Sequence, residues 1–185
     1  MLSQPLLSGA GQILLGILVA IAAAYDIRYR RIPNWLVLVG IIAGFGLNLY
    51  LSSGPGLLRA AEGFGLGFIL YFPLYLLRAR GAGDVKLLAA VGAITGPGNC
   101  FWVFLLTAVL GGLIALVWLM IAGRVRHTFF NVGWIMRDLL HMRAPYQSNA
   151  ELDVTTTKGM RLPHGAMIAV GAIAFIGLVQ FKVTI

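Results

Sequence analysis

The chain has 185 residues, of which 59% are hydrophobic and only 11% are charged, and its formal net charge is +8. A soluble domain carries about a quarter charged residues, so the composition excludes a soluble globular protein and indicates an integral membrane protein of one domain. The single cysteine, Cys100, excludes an internal disulfide and a multi-cysteine zinc site. Basic residues in such a protein are typical of cytoplasmic loops, and we expect no nucleic-acid partner.

Six apolar segments follow one another along the chain, which predicts an all-α bundle of about six transmembrane helices. A helix needs about 20 residues to cross the hydrocarbon core, and all segments but the fourth reach or approach that length. The short fourth segment either crosses where the bilayer is thinned or begins below the surface, inside the bundle. Glycines four residues apart, as at Gly40/Gly44 and Gly63/Gly67, indicate close helix packing. The segments are residues 9–25, 35–51, 57–77, 85–95, 101–122 and 165–181.

The distribution of basic residues predicts the orientation of the bundle. With six crossings, the loops after the first, third and fifth segments share one side. Of the 14 Lys and Arg residues, only Arg59 and Lys182 fall on the other side. The positive-inside rule then makes the basic side cytoplasmic.

The long polar region of residues 123–162 predicts an amphipathic helix followed by a loop. Apolar residues in its first half recur at steps of three and four, which is a helical stripe. Such a helix lies on the inner leaflet, against anionic lipid headgroups. The stripe consists of Val125, Phe129, Val132, Met136 and Leu139.

Two acidic residues, Asp26 and Asp84, lie where apolar segments meet the predicted cytoplasmic face. Acidic residues near membrane helices are costly to bury and are therefore often functional. Two neighbouring carboxylates that share a proton are suited to acid–base chemistry. From periodicity alone, simpler explanations are favoured, because Asp84 is a good helix N-cap and Asp26 can pair with Arg28 or Arg30 in the headgroup region.

Three sequence blocks decide between these explanations. YDIRYRRIPNWL (residues 25–36) and GAGDVKLLAAVGAITG (residues 81–96) resemble the two catalytic signatures of type IV prepilin peptidases. LPHGAMIAVGA (residues 162–172) is similar to the start of that family's last helix. The second block contains Gly-x-Gly-Asp, which also marks presenilin-like intramembrane aspartyl proteases. The blocks occur in the family's order, and the resemblance covers essentially the whole chain, as one membrane-embedded peptidase domain over residues 1–185.

The resemblance implies that Asp26 and Asp84 are the catalytic pair of a membrane aspartyl endopeptidase. Its substrates are prepilins, which carry a short basic leader before an apolar helix, and the leader is removed at the cytoplasmic face of the bacterial inner membrane. One ionised aspartate takes a proton from water, while the protonated one donates a hydrogen bond to the developing oxyanion. The resemblance implies neither a metal nor another cofactor.

Further residues near the two aspartates are expected to bind substrate or shape the site. Glycines before Asp84 allow a tight backbone turn and the approach of an extended substrate. Lys86 either orients Asp84 or extends to lipid phosphate, which is the commoner role of such a lysine. His164 either lines the site or lies at headgroup level. The full set is Gly81, Gly83, Lys86, Pro33, Asn34, Pro163, His164 and Gly165.

One departure from the family pattern concerns the N-terminal side. Larger members carry a cytoplasmic region with paired cysteines there and methylate the new N-terminus of the pilin. This chain lacks that region, so we expect the small peptidase-only type that processes Flp-type pilins for tight-adherence systems, without methyltransferase activity. The basic cytoplasmic face should repel a basic leader, unless anionic lipids neutralise the face or Glu151 and Asp153 contact the leader.

Two other classes of protein fit the same residues. In a transporter or ion-binding bundle, Asp26 and Asp84 coordinate a cation beside a broken helix. In a membrane scaffold, the two acids are only a helix cap and an ion-pair partner. The sequence leaves the particular prepilin and the oligomeric state open.

Overall fold

The computed structural model describes residues 7–78, 80–121, 123 and 163–184, and within them it contains five α-helices and no strand. Four of the helices are long and apolar enough to cross a membrane, and only α3 is not. The predicted all-α membrane protein is therefore confirmed. The predicted interfacial helix and loop lie outside the described residues, apart from Gly123. The helices are α1 (Gly9–Tyr29), α2 (Asn34–Leu76), α3 (Ala82–Thr95), α4 (Pro97–Ile121) and α5 (His164–Thr184).

Helix α2 is 43 residues long and consists of two arms, residues 34–51 and 54–76. Between them Ser52 and Ser53 leave the helical conformation, and Ser53 has a φ of 51°, in the left-handed region. Pro55 follows, and proline disfavours a continuous helix because it lacks an N–H and clashes with the preceding turn. The two arms correspond to the second and third segments that the sequence predicts, and the break between them lies at these two serines.

The two arms run in opposite directions along α3. On the first arm, Gly40 lies against Ala90, and Gly44, one turn later, lies against Ala93 and Ile94. On the second arm the order reverses, because Gly63 lies against Gly92 and Gly67 lies against Leu88. The packing role predicted for both glycine pairs is confirmed.

Helix α3 lies at the centre of the bundle. It has only 14 residues, and its buried positions are Val85 and the whole run from Leu87 to Thr95. A helix that is apolar all round is suited to such an enclosed position. The short fourth segment is therefore enclosed by other helices, and both explanations for its length stay predictions.

Polar contacts fix the C-terminal end of α3. The buried Asn48 side chain donates to the carbonyl oxygens of Ala93 and Ile94 at 3.0 and 3.2 Å. The Arg59 guanidinium donates to the Thr95 carbonyl at 3.3 Å. Because the last carbonyls of a helix have no partner within it, these bonds anchor α3 at this end. The first turn of α3, which carries Asp84, lies at the opposite end of the bundle.

Candidate active site

One cavity of about 640 Å³ opens at the end of the bundle where α1 ends and α2, α3 and α5 begin. All the predicted site residues except Pro33 and Gly165 line this cavity. Its lining combines two carboxylates with four cationic side chains. The lining residues are Asp26, Arg30, Arg31, Ile32, Asn34, Arg80, Gly81, Ala82, Gly83, Asp84, Lys86, Pro163 and His164.

Asp26 lies in the last turn of α1 and is 8% exposed. Its Oδ2 accepts a hydrogen bond of 2.7 Å from the backbone N–H of Gly165, the second residue of α5. A Cβ atom at Gly165 would lie 3.1 Å from Asp26 Oδ2 and 3.1 Å from Ile32 Cδ1, which is tighter than ordinary contact. The absence of a side chain at Gly165 therefore allows α5 to approach the carboxylate. Arg28, one of the proposed ion-pair partners of Asp26, contacts the Tyr29 hydroxyl at 3.3 Å.

Asp84 lies in the first turn of α3 and is partly buried. The N-cap residue of α3 is Gly81, so Asp84 is the third residue of the helix, and the N-cap position predicted for it is wrong. The Asp84 carboxylate accepts a backbone hydrogen bond at Gly81 and interacts electrostatically with Arg80 and Asp26. Two carboxylates and a guanidinium thus act on one another across the cavity.

Lys86 and Asn34 join α3 to the start of α2. The Lys86 Nζ donates a hydrogen bond of 3.2 Å to Asn34 Oδ1. The sequence did not predict this contact, and the two roles predicted for Lys86 stay predictions. Pro33 is the N-cap residue of α2 and lines a shallower depression beside Tyr25 and Tyr29. Gly83 lies against Ile32, where a Cβ atom would be 3.4 Å from Ile32 Cβ.

Tyr71 and Arg80 belong to the site although sequence reasoning did not assign them to it. Tyr71, on the second arm of α2, is buried, and its hydroxyl lies 3.1 Å from His164 Nε2. The Arg80 guanidinium lies 5.9 Å from the centre of the Tyr71 ring. From the sequence, Arg80 is recognised only as one of the basic loop residues that predict the orientation of the bundle. Tyr71 lies within an apolar segment of the sequence, and a buried tyrosine hydroxyl needs a polar partner. This is the signal that could have placed Tyr71 beside a polar site.

In the part of the chain that the structure describes, no three His, Cys, Asp or Glu side chains cluster as a metal site would require. The chemistry available in the cavity is that of two carboxylates. Such a pair can exchange protons with a water molecule and with a leaving group, as general acid–base catalysis requires.

The sequence model of the type IV leader peptidase family matches residues 13–116, which include both aspartates. This chain belongs to the type IV leader peptidase family. The family predicted from the three sequence blocks is therefore confirmed. As a leader peptidase family member, it is also similar to the prepilin leader peptidase/N-methyltransferase of Xanthomonas campestris pv. campestris, with 31% identity over 127 residues.

That alignment covers 65% of this chain and 44% of the Xanthomonas protein. The chain therefore spans less than half the length of that relative. No solved structure matches the chain. Helix α5, which supplies His164 and Gly165, lies beyond the residues that the family model matches, so the family match does not bear on its contribution to the cavity.

Proposed function

We propose that this chain is an aspartyl endopeptidase that removes the basic leader from type IV prepilins, with Asp26 and Asp84 as its catalytic residues in one peptidase domain over residues 1–185. The observation that carries the proposal is the single cavity that both carboxylates line, in a member of the leader peptidase family. Flp-type prepilins remain the predicted substrates, and the absence of methyltransferase activity remains a prediction.

In the proposed reaction, a water molecule lies between the two aspartates. The ionised aspartate accepts a proton from the water as its oxygen attacks the scissile carbonyl carbon. The protonated aspartate donates a hydrogen bond to the oxyanion. As the C–N bond breaks, the leaving amine receives the proton that the other aspartate took from the water. The backbone contacts at Gly165 and Gly81 support this proposal because they fix the orientation of each carboxylate.

We propose that the cavity faces the cytoplasm from the bacterial inner membrane, with the two arms of α2 and the short α3 as separate crossings of a six-crossing bundle. Arg30, Arg31, Arg80 and Lys86 surround the cavity, as the positive-inside rule expects of a cytoplasmic end. Anionic headgroups at this end, and the interfacial helix predicted within residues 123–162, would then lie beside the site.

An apolar groove of about 350 Å³ continues from the cavity between the arms of α2 and along α3. It shares Asn34 and Lys86 with the cavity, and the remaining lining residues are apolar. A prepilin has a basic leader followed by an apolar helix, so a scissile bond at the aspartates leaves the first apolar residues at the mouth of this groove. We therefore assign the groove to the apolar segment of the substrate. Its lining consists of Asn34, Val37, Leu38, Ile41, Phe64, Phe68, Lys86 and Ala89.

A photoreactive amino acid in place of Phe68 should cross-link to a bound prepilin. Phe68 lines the groove and is 37% exposed. Ile173 on α5 is a matched control, because it is 57% exposed but does not line the groove. Immunoblotting of the cross-linked product is the measurement. Equal yields at the two positions would remove the substrate from this groove.

The alanine variant of Gly165 should cleave prepilin about 10-fold more slowly than the wild type, because the new methyl group displaces the Asp26 carboxylate and misplaced groups are costly for catalysis. Gly177→Ala on the same helix is the control, since no described heavy atom lies within 4 Å of a Cβ atom there. Initial rates in detergent, normalised to folded protein, measure the effect. Equal rates for the two variants would contradict the proposed role of Gly165.

The proposal as a whole is tested by incubating the purified protein with a Flp-type prepilin and identifying the products by mass spectrometry. We expect one cut between the basic leader and the apolar segment, and unchanged cleavage in the presence of a metal chelator. Absence of cleavage, together with a cation flux through proteoliposomes that requires Asp26, would instead support the ion-binding bundle.

A further inference from the structure

A hydrogen bond between Tyr71 and His164 lies next to the contact that holds Asp26. The Tyr71 hydroxyl is 3.1 Å from His164 Nε2. His164 is the first residue of α5, and the next residue, Gly165, donates its N–H to Asp26 Oδ2 at 2.7 Å. A continuous path of contacts thus leads from the second arm of α2, through the first turn of α5, to a proposed catalytic carboxylate.

Tyr71 is a fixed point in this path. It is 2% exposed, and its ring packs edge-to-face against Phe104 of α4 with ring centres 5.6 Å apart. The guanidinium of Arg80 lies 5.9 Å from the same ring, within the range of a cation–π contact. A buried hydroxyl that loses its partner is costly, so the bond to His164 ties the start of α5 to this packed ring.

The geometry also shows how Tyr71 can act. Asp26 and His164 both line the cavity, whereas Tyr71 does not. A substrate in the cavity therefore meets His164 and not the tyrosine. The hydrogen bond of the Tyr71 hydroxyl to His164 is therefore the route by which the hydroxyl can act on Asp26.

We propose that Tyr71 is a positioning residue for the catalytic pair: its hydroxyl holds His164, and the first turn of α5 that is fixed in this way directs the Gly165 N–H at Asp26. The inference rests on the proposed function, because the expected consequence is a change in turnover. The contact itself is independent of activity and can be observed directly. Orientation matters here because an aspartate that activates water must stay within hydrogen-bond reach of it.

Kinetics of Tyr71→Phe provide the first part of the test, since this variant loses the hydroxyl and keeps the ring. We expect kcat to fall about 10-fold, KM to stay within about twofold, and the thermal unfolding midpoint to stay unchanged. Tyr50→Phe is the matched control, because Tyr50 is 87% exposed and is remote from the cavity lining. In a His164→Leu background, Tyr71→Phe should lower kcat no further.

Nuclear magnetic resonance provides the second part, because His164–Gly165 is the only His-Gly pair in the sequence. Labelling histidine at the carbonyl carbon and glycine at the nitrogen isolates the Gly165 amide signal. In the wild type this amide proton should resonate downfield, since hydrogen bonds to a carboxylate are the stronger kind. Asp26→Asn should move it upfield, Tyr71→Phe should move it in the same direction, and Tyr50→Phe should leave it in place.

The two readouts separate failure of this inference from failure of the proposed function. If the wild type cleaves no prepilin, the proposed function fails, and the Gly165 signal alone decides whether Tyr71 holds the contact. If the wild type cleaves, an unchanged kcat or an unmoved Gly165 signal in Tyr71→Phe would overturn the inference and leave the protease proposal standing. A further 10-fold loss in the His164→Leu background would also overturn it, because Tyr71 would then act by another route.

Discussion

Replacement of either Asp26 or Asp84 by asparagine should lower the rate of prepilin cleavage by about 10²- to 10⁴-fold, the usual contribution of a general acid or base. Asparagine has nearly the same shape as aspartate, but its amide group does not act as an acid or a base at the pH of the assay. Its side-chain oxygen can still accept the hydrogen bond from the Gly165 N–H at position 26. The fold and the binding of prepilin should therefore persist, and the loss should appear in kcat.

The matched control for this prediction is Glu62→Gln, which makes the same chemical change at an exposed carboxylate outside the cavity. Rates, substrate affinity and thermal unfolding should be measured on all three variants in the same detergent. The control should retain wild-type turnover. If one of the two aspartate variants cleaves prepilin at the control rate, the aspartate at that position has no catalytic role.

Gly63→Ala should destabilise the bundle by about 1–3 kcal/mol, the usual cost of an overpacked core, with the upper end expected here. A Cβ atom at Gly63 would meet the carbonyl oxygen of Gly92 and lie 2.8 Å from the Gly96 carbonyl carbon. Both obstacles are backbone atoms, so no side chain can turn away to make room. The second arm of α2 must then separate from α3, and the first turn of α3 carries Asp84.

Gly65→Ala tests whether the packing contact or the loss of a glycine causes the effect. Gly65 is on the same arm of α2, and no described heavy atom lies within 4 Å of a Cβ atom built there. Alanine favours a helix over glycine by about 1 kcal/mol, so this control should be as stable as the wild type or slightly more stable. Thermal unfolding in detergent measures both variants. Equal stability of the two would contradict the close packing of α2 on α3.

The sequence predicted the helices well, because hydropathy identifies apolar stretches of membrane-spanning length. The second and third predicted segments match the two arms of α2, and the break between them lies at Ser52 and Ser53, just before Pro55. Length alone left two explanations for the short fourth segment, and both stay predictions. The enclosure of α3 by the two arms of α2 was not predicted, because it depends on contacts between residues distant in sequence.

The site was predicted in part, because its aspartates lie in recognisable local blocks. Asp26, Asp84 and most of the proposed site-shaping residues come together around one cavity, and their roles remain proposals. Tyr71 was missed because its partner, His164, is 93 residues away, and no local spacing connects them. The contact between Asp26 and the start of α5 is also a tertiary feature.

The most direct test of the central claim compares the double variant Asp26→Asn/Asp84→Asn with the two single variants. Two carboxylates that act on one water form a unit, and residues that act as a unit have strongly non-additive effects on kcat. Single-turnover cleavage of a prepilin by purified protein is the measurement. We expect all three variants to share the same low residual rate. Wild-type turnover in either single variant, or a double variant slower by the product of the two single losses, would contradict a catalytic pair.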